Sequence, residues 1–291
     1  MKLSHNQAVL LMVVVTLLWS TAGVVTRHLE HAQRFEVTFW RSFFTVLSLV
    51  VILPWFQGRE VFKRIGRAEA ALWLSGVCWC GMFTFFMLGI TMISVANVLI
   101  TMSLGPLLTA LAARIFIGHR IPERTWVAIV VAGCGIGYIY GSQLTKGASL
   151  AGTLVALAVP ISAAANWTLI QSSQAKGQKI DLIPAVLIGA FLSAVVMLPL
   201  ALPFQASVFD LTLLAGLGLF QLAIPCVLAV ICTRVLKAPE VSLLGLLEVV
   251  FGILLAWVGA NEAPGPNVLV GGTLVIGALL VNELMGWRQR R

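Results

Sequence analysis

Charge is what this sequence has least of. Asp, Glu, Lys and Arg make up 10% of its 291 residues, against about 25% in a soluble domain. A soluble globule of this size could not clothe its surface with so little charge. Cysteine is also sparse: Cys78, Cys80, Cys134, Cys226 and Cys232 all fall in apolar stretches. That excludes a disulfide-rich secreted scaffold and reads as small apolar filler. There is no Walker motif, no H-E-x-x-H, no Cys/His metal spacing and no G-x-S-x-G elbow. No nucleotide drive, zinc site or hydrolase triad is therefore expected, and no cofactor. His5, His28, His31 and His119 are scattered rather than clustered.

What the sequence does have is long apolar runs. Hydrophobic residues reach 59% and mean hydropathy is +0.99. A bilayer-spanning helix needs about 20 apolar residues. Ten windows can be read, near Ala8–Thr26, Phe35–Leu53, Ala70–Met92, Val95–Ile117, Arg124–Gly141, Leu150–Gln171, Leu182–Leu202, Leu211–Val235, Val241–Ala260 and Asn267–Gly286. The expected class is an all-α integral membrane protein, with Pro54–Glu69 as its longest connection and no loop able to hold a catalytic domain. The first window has too long an apolar run and too little basic charge before it for a cleaved signal peptide.

The few charges set the orientation. If the N-terminus is cytoplasmic, inside segments hold 15 of the 19 Lys and Arg, while Arg27, Arg34 and Lys146 fall outside and Arg41 lies within a span. The positive-inside rule counts basic residues in just such short loops, so both termini are expected in the cytoplasm. The net charge of +8 and pI near 9.7 follow from this orientation and not from nucleic-acid binding.

A shift of about 142 residues aligns the two halves: Trp19-Ser20-Thr21-Ala22 falls on Ile161-Ser162-Ala163-Ala164, and Leu53-Pro54 on Leu198-Pro199 with a short insertion. Gly105-Pro106 through Gly118-His119 falls on Glu248-Val249 through Asn261-Glu262, and Ala128–Gly133 on Gly272–Gly277. Five spans per half is an odd number, so the second half enters from the opposite side. The expectation is a 5+5 inverted repeat, residues 1–143 and 144–291, around a central cavity. Inverted repeats of this kind mark transporters, with the site near the midplane between halves.

Two stretches resemble the EamA-type repeat of the drug/metabolite transporter superfamily. The first runs from Ser103-Leu-Gly-Pro106 to Ile117-Gly-His-Arg120 and leads into a glycine-bearing helix; the second runs from Leu247-Glu248-Val249 to Gly259-Ala-Asn-Glu262, followed by Gly271-Gly272 and Gly277. Trp19-Ser20 and Arg41 fit as well, and the likeness covers nearly the whole chain. It departs at His119, where Glu is common, and at Val249, where Pro is common. The whole-chain pattern is most similar to the bacterial aromatic-amino-acid exporters. This resemblance implies a secondary transporter in a bacterial inner membrane that moves amino acids, aromatic ones included, outward by alternating access. Its partners would be the bilayer and a small solute, and a monomer would suffice. Drug or other metabolite export is the alternative within the superfamily; a passive channel or a membrane-embedded enzyme is the alternative outside it.

Intramembrane ionisable residues call for a functional reading. Glu248 lies about eight residues into its window, roughly 12 Å along a helix. It can hold a substrate ammonium, carry a proton or fix a helix contact. Arg41 can pair a substrate carboxylate with its planar fork or snorkel to the outer headgroups. Polar pairs one turn apart share a helix face: Thr16 with Ser20, Asn97 with Thr101, Ser162 with Asn166. Each pair lines a cavity or bonds a neighbouring helix. Trp55, Trp126, Trp257 and Trp287 lie at window ends and read as interface anchors. Trp19, Trp40, Trp79 and Trp167, with Phe83, Phe85 and Phe86, are candidate aromatic walls or helix packing. Pro106, Pro160 and Pro225 interrupt their windows and are candidate hinges or tolerated kinks. Gly133, Gly137 and Gly141 form two G-x-x-x-G steps that suit close helix packing, within the subunit or between subunits.

Overall fold

No water reaches a backbone amide inside a hydrocarbon layer, so a chain this apolar must close its hydrogen bonds within each segment. A computed structural model of the chain shows that solution. It describes residues 3–58, 60–66, 70–118, 120–144, 150–175, 183–232, 235–236 and 238–288, and among these the regular structure is all helical. The first half contains α1 (His5–Thr26), α2 (Arg34–Gln57), a short α3 (Glu60–Gly66), α4 (Ala70–Met92), α5 (Val95–Met102), α6 (Gly105–Ile117) and α7 (Glu123–Leu144). The second contains α8 (Leu150–Ala175), α9 (Ile183–Ala201), α10 (Val208–Gly216), a π-helical segment (Leu217–Ala223), α11 (Ile224–Cys232), α12 (Ala238–Ala260) and α13 (Pro266–Arg288). Among the described residues nine helical segments are long and apolar enough to cross a membrane, and Leu244–Ala260 of α12 is a shorter apolar one.

Helix starts carry local signals. Ser4 and Gln7 form a reciprocal capping box before α1, as do Ser207 and Asp210 before α10. Ser94 caps α5 by accepting the Asn97 N–H. The stretch read as a long connection, Pro54–Glu69, differs: α2 continues through Pro54 to Gln57, and α3 fills Glu60–Gly66. Pro106 sits in the first turn of α6, just after a break at Ser103-Leu104 that divides the fourth span. Pro225 stands at the start of α11, where the π segment gives way to α-helix. Pro160 lies inside an unbroken α8.

The packing has the symmetry of two exchanged halves. If α5–α6 and α10–α11 each count as one span, the observed contacts include spans 1 with 9, 6 with 4, 3 with 6, and 8 with 1. Swapping the halves turns the first of these into the second and the third into the fourth. Spans 3 with 7 (α4 with α9) likewise exchange with 8 with 2, while α2 with α9 and α7 with α13 (spans 2 with 7 and 5 with 10) map onto themselves.

The α7–α13 contact within the chain does not use the glycine stripe. Nothing lies within 4 Å of where a Cβ would stand on Gly133, Gly137 or Gly141. Gly135 makes the close approach instead: a Cβ there would stand 2.7 Å from the Gly271 carbonyl oxygen, and one on Gly271 would stand 2.6 Å from that of Gly135. Two residues turn a helix by about 200°, so the stripe and Gly135 lie on opposite faces. Trp55, Trp126 and Trp257 are exposed, as window-end anchors would be. The side chain of Trp287 lies outside the described residues. So do His119, Lys2, Arg59, Arg67, Lys146, Lys176, Lys179, Arg234, Lys237, Arg290 and Arg291.

Candidate functional site

Arg41 does not snorkel. It projects from α2 into the bundle, only 1% exposed. Its Nη1 donates to Gln221 Oε1 at 3.1 Å and its Nη2 to the Phe83 carbonyl at 3.0 Å. The guanidinium carbon lies 5.8 Å from the Phe83 ring centroid and 6.0 Å from that of Phe86. Cation–ring attraction gains strength where water is absent, but a buried charge normally also needs an opposite one. Among the described ion pairs none involves Arg41, and its Nε is buried with no partner.

The π segment brings Gln221 to this point. Such wide turns often sit at functional sites. Here the segment can approach α2 closely because Gly218 has no side chain: a Cβ would stand 2.7 Å from the Phe44 Cβ and 2.8 Å from the Thr45 nitrogen. The Thr45 hydroxyl donates to the Arg41 carbonyl at 2.8 Å and lies 3.4 Å from the Gly218 carbonyl. The Gln221 amide donates in turn to the Trp19 carbonyl on α1 at 3.3 Å. One turn on, buried Cys226 receives a hydrogen bond from the Trp19 side chain and lies within electrostatic reach of both Arg41 and Glu248. Glu248 is half-buried at the middle of α12, whose Gly252 and Gly259 pack against Leu99 and Val24.

The structure therefore gathers Trp19, Arg41, Phe83, Phe86 and Glu248 around Gln221 and Cys226. Trp79 stands one turn before Phe83 on α4, its ring 5.3 Å from that of Phe83 and its Nε1 buried with no partner. Ser20 lies on α1 beside this group, its hydroxyl donating back to the Leu17 carbonyl. On α8, buried Asn166 accepts a 2.6 Å hydrogen bond from Ser75 and keeps an unpartnered Nδ2. Ser162, also on α8, meets α4 at Gly81.

Other candidates lie elsewhere. Trp40 donates to Glu36 at 3.2 Å and packs with Phe39, Phe43, Phe44 and Phe204 near the start of α2. The Thr101 hydroxyl shares a 2.6 Å hydrogen bond with Tyr140 and donates to the Asn97 carbonyl, tying α5 to α7. Trp167 is 42% exposed on the outer side of α8.

Sequence reasoning missed Gln221, although a lone amide in an apolar window is itself a signal of the kind that singled out Arg41. It also missed the buried hydroxyl chain Ser42–Ser193–Thr84, with contacts of 3.0 and 2.8 Å joining α2, α9 and α4. Single serines and threonines in helices are too common to stand out.

The EamA-like transporter family model matches residues 6–141 and again residues 150–283. Protein RarD of Salmonella typhi and that of Salmonella typhimurium are each 25% identical over 135 residues, 45% of this chain and 46% of theirs. The chain thus spans about half the length of these curated relatives. A solved crystal structure of a protein covers 99% of this chain and 100% of its own at a TM-score of 0.63 and 20% identity, a likeness of fold.

Proposed function

The chain belongs to the EamA-like transporter family, and from that premise we propose that this multi-span membrane protein exports amino acids, aromatic ones included, by alternating access. Arg41 carries the reading. A buried guanidinium that bonds only neutral oxygens is an open half of an ion pair, and a solute carboxylate is its natural other half. The rings of Phe83, Phe86 and Trp19 supply an apolar wall beside it. The surplus of basic residues on the side of the termini supports a bacterial inner-membrane location with both ends cytoplasmic. A monomer holds every residue this reading uses.

The test is counterflow in proteoliposomes. Vesicles loaded with unlabelled phenylalanine should take up labelled amino acids saturably, and Arg41→Met should abolish it. Arg41→Lys, which keeps the charge but loses the fork, should retain at most about a tenth of the rate, a loss of roughly 1.4 kcal/mol. Absence of exchange with any amino acid in a folded preparation would sink the amino-acid reading; exchange of other metabolites in the same panel would redirect it within the superfamily.

A further inference from the structure

Two buried donors are left over by the central site as described. Ser75 and Trp79 stand one turn apart on α4 and so share a face. The Ser75 hydroxyl is used up on Asn166 Oδ1 at 2.6 Å. Asn166 is fully buried, yet its Nδ2 has no partner; nor has the Trp79 indole Nε1. Buried polar atoms are overwhelmingly paired, and an unmade hydrogen bond destabilises the fold. Two such donors together suggest something that the protein alone does not supply.

Their chemistry and order narrow what that is. Arg41 Nε, Trp79 Nε1 and Asn166 Nδ2 are all N–H groups without a partner, so the missing ligand brings acceptor oxygens. Along α4 the three levels follow in sequence: Ser75 with Asn166, then Trp79, then Phe83 with Arg41. Each step is four residues, about 6 Å. Helical side chains lean toward the helix N-terminus, which carries the Trp79 indole back over the Ser75 turn. The backbone beneath is held firmly. Gly189 of α9 lies against the Trp79 Cβ, and Gly76 of α4 against Ile188 of α9. The start of α4 lies at the end of the bundle that carries the termini, two crossings after α1 begins.

We propose that Trp79 Nε1 and Asn166 Nδ2 form a receiving subsite for the solute's carboxylate, on the terminus side of Arg41 and occupied before Arg41 takes the solute. This rests on the carboxylate-at-Arg41 reading above. Two N–H donors match the two oxygens of a carboxylate, and the indole face offers a surface for the solute's side chain. The subsite serves loading from one side only. A solute arriving from the opposite side meets Arg41 first.

The test uses the full chain in membrane vesicles of both orientations, with labelled phenylalanine as the probe. Trp79→Phe removes the N–H and keeps a ring; Asn166→Leu removes the amide; Asn166→Asp sets a negative charge against the carboxylate. Trp79→Phe and Asn166→Leu should each raise KM about tenfold at the terminus-side face, leave KM at the other face unchanged, and leave thermal unfolding near wild type. Asn166→Asp should raise the terminus-side KM further. Wild-type values at both faces would mean that water fills the two donors and would overturn the subsite alone. Equal increases at both faces would overturn it too, by merging these residues with the central site. Failure of the wild type to exchange phenylalanine would overturn the aromatic-amino-acid reading on which the subsite rests, and the subsite with it.

Discussion

Arg27 and Glu262, separated by 235 positions in the chain, meet as an ion pair with Nε and Oε2 2.5 Å apart. Neither stands alone. Arg27 Nη1 donates to the Ile90 carbonyl at 2.7 Å and Nη2 to that of Ile93 at 3.0 Å, while Glu262 Oε1 accepts the Val95 N–H at 2.6 Å. One pair thus clasps the end of α1, the α4–α5 junction and the segment between α12 and α13, all at the end of the bundle opposite the termini. Asn261, in a left-handed conformation at φ 54°, turns the chain so that the Glu262 carboxylate faces inward. The clasp joins first-half spans to a second-half one, where the alternating access proposed above requires contacts that part.

The clasp should be energetically coupled. Arg27→Met and Glu262→Gln should each destabilise the protein, and a double-mutant cycle in chemical denaturation should return a coupling of about 1–3 kcal/mol. A coupling near zero would reduce the pair to an incidental surface contact.

Asp210 is a second fastening at the same end. Its carboxylate, fully buried, accepts the backbone N–H groups of Glu30, His31, Ala32 and Ser207 at 2.8–3.1 Å. Asp210→Asn keeps the shape but points an amide donor at other donors. It should cost about 2–3 kcal/mol. Hydrogen exchange locates the effect: the amides of residues 30–32 should lose protection while those in the middle of α1 keep theirs. Uniform loss along α1 would show that the carboxylate supports the helix and not the turn.

The glycines offer a paired test. Gly271→Leu drives a side chain into the α7 backbone, where even a Cβ meets a carbonyl oxygen at 2.6 Å. It should abolish recovery of folded protein. Gly137→Ala, with nothing within 4 Å of the new Cβ, should leave melting within about 2 °C of wild type, since a helix interior favours Ala over Gly. The reverse ranking would place the close packing on the stripe after all.

Much of this architecture could be read from the chain, because a membrane leaves a sequence few choices. The helical windows follow from apolar length, and Arg41 and Glu248 stand out as charges that the topology does not use. What escaped was set by partners far along the chain. Asp210 and Glu36 sit in the first turns of α10 and α2, where nothing in the sequence alone singles them out. Only the folded chain shows them buried beneath other segments' amides; Glu36 receives those of Gln205 and Ala206. Gly135 escaped for a similar reason. The stripe of Gly133, Gly137 and Gly141 has the stronger spacing, but packing was decided by where Gly271 arrives.

Glu248 remains the acid to test for proton coupling. It is the middle group of α12, while Glu36, Asp210 and Glu262 are at or beyond span ends and are spent on hydrogen bonds to backbone N–H groups or on Arg27. One turn further along α12, Gly252 packs against Leu99 and the Ser20 Cβ, which sets Glu248 alongside α1. A carboxyl there can gain and lose a proton as the cavity faces each side in turn; Gln cannot. Glu248→Gln should therefore abolish accumulation driven by a pH gradient while preserving amino-acid counterflow, which moves no net proton. Loss of both activities with normal folding would assign Glu248 to the solute ammonium. Retention of both would leave it a helix contact, and the coupling proton would have to travel elsewhere.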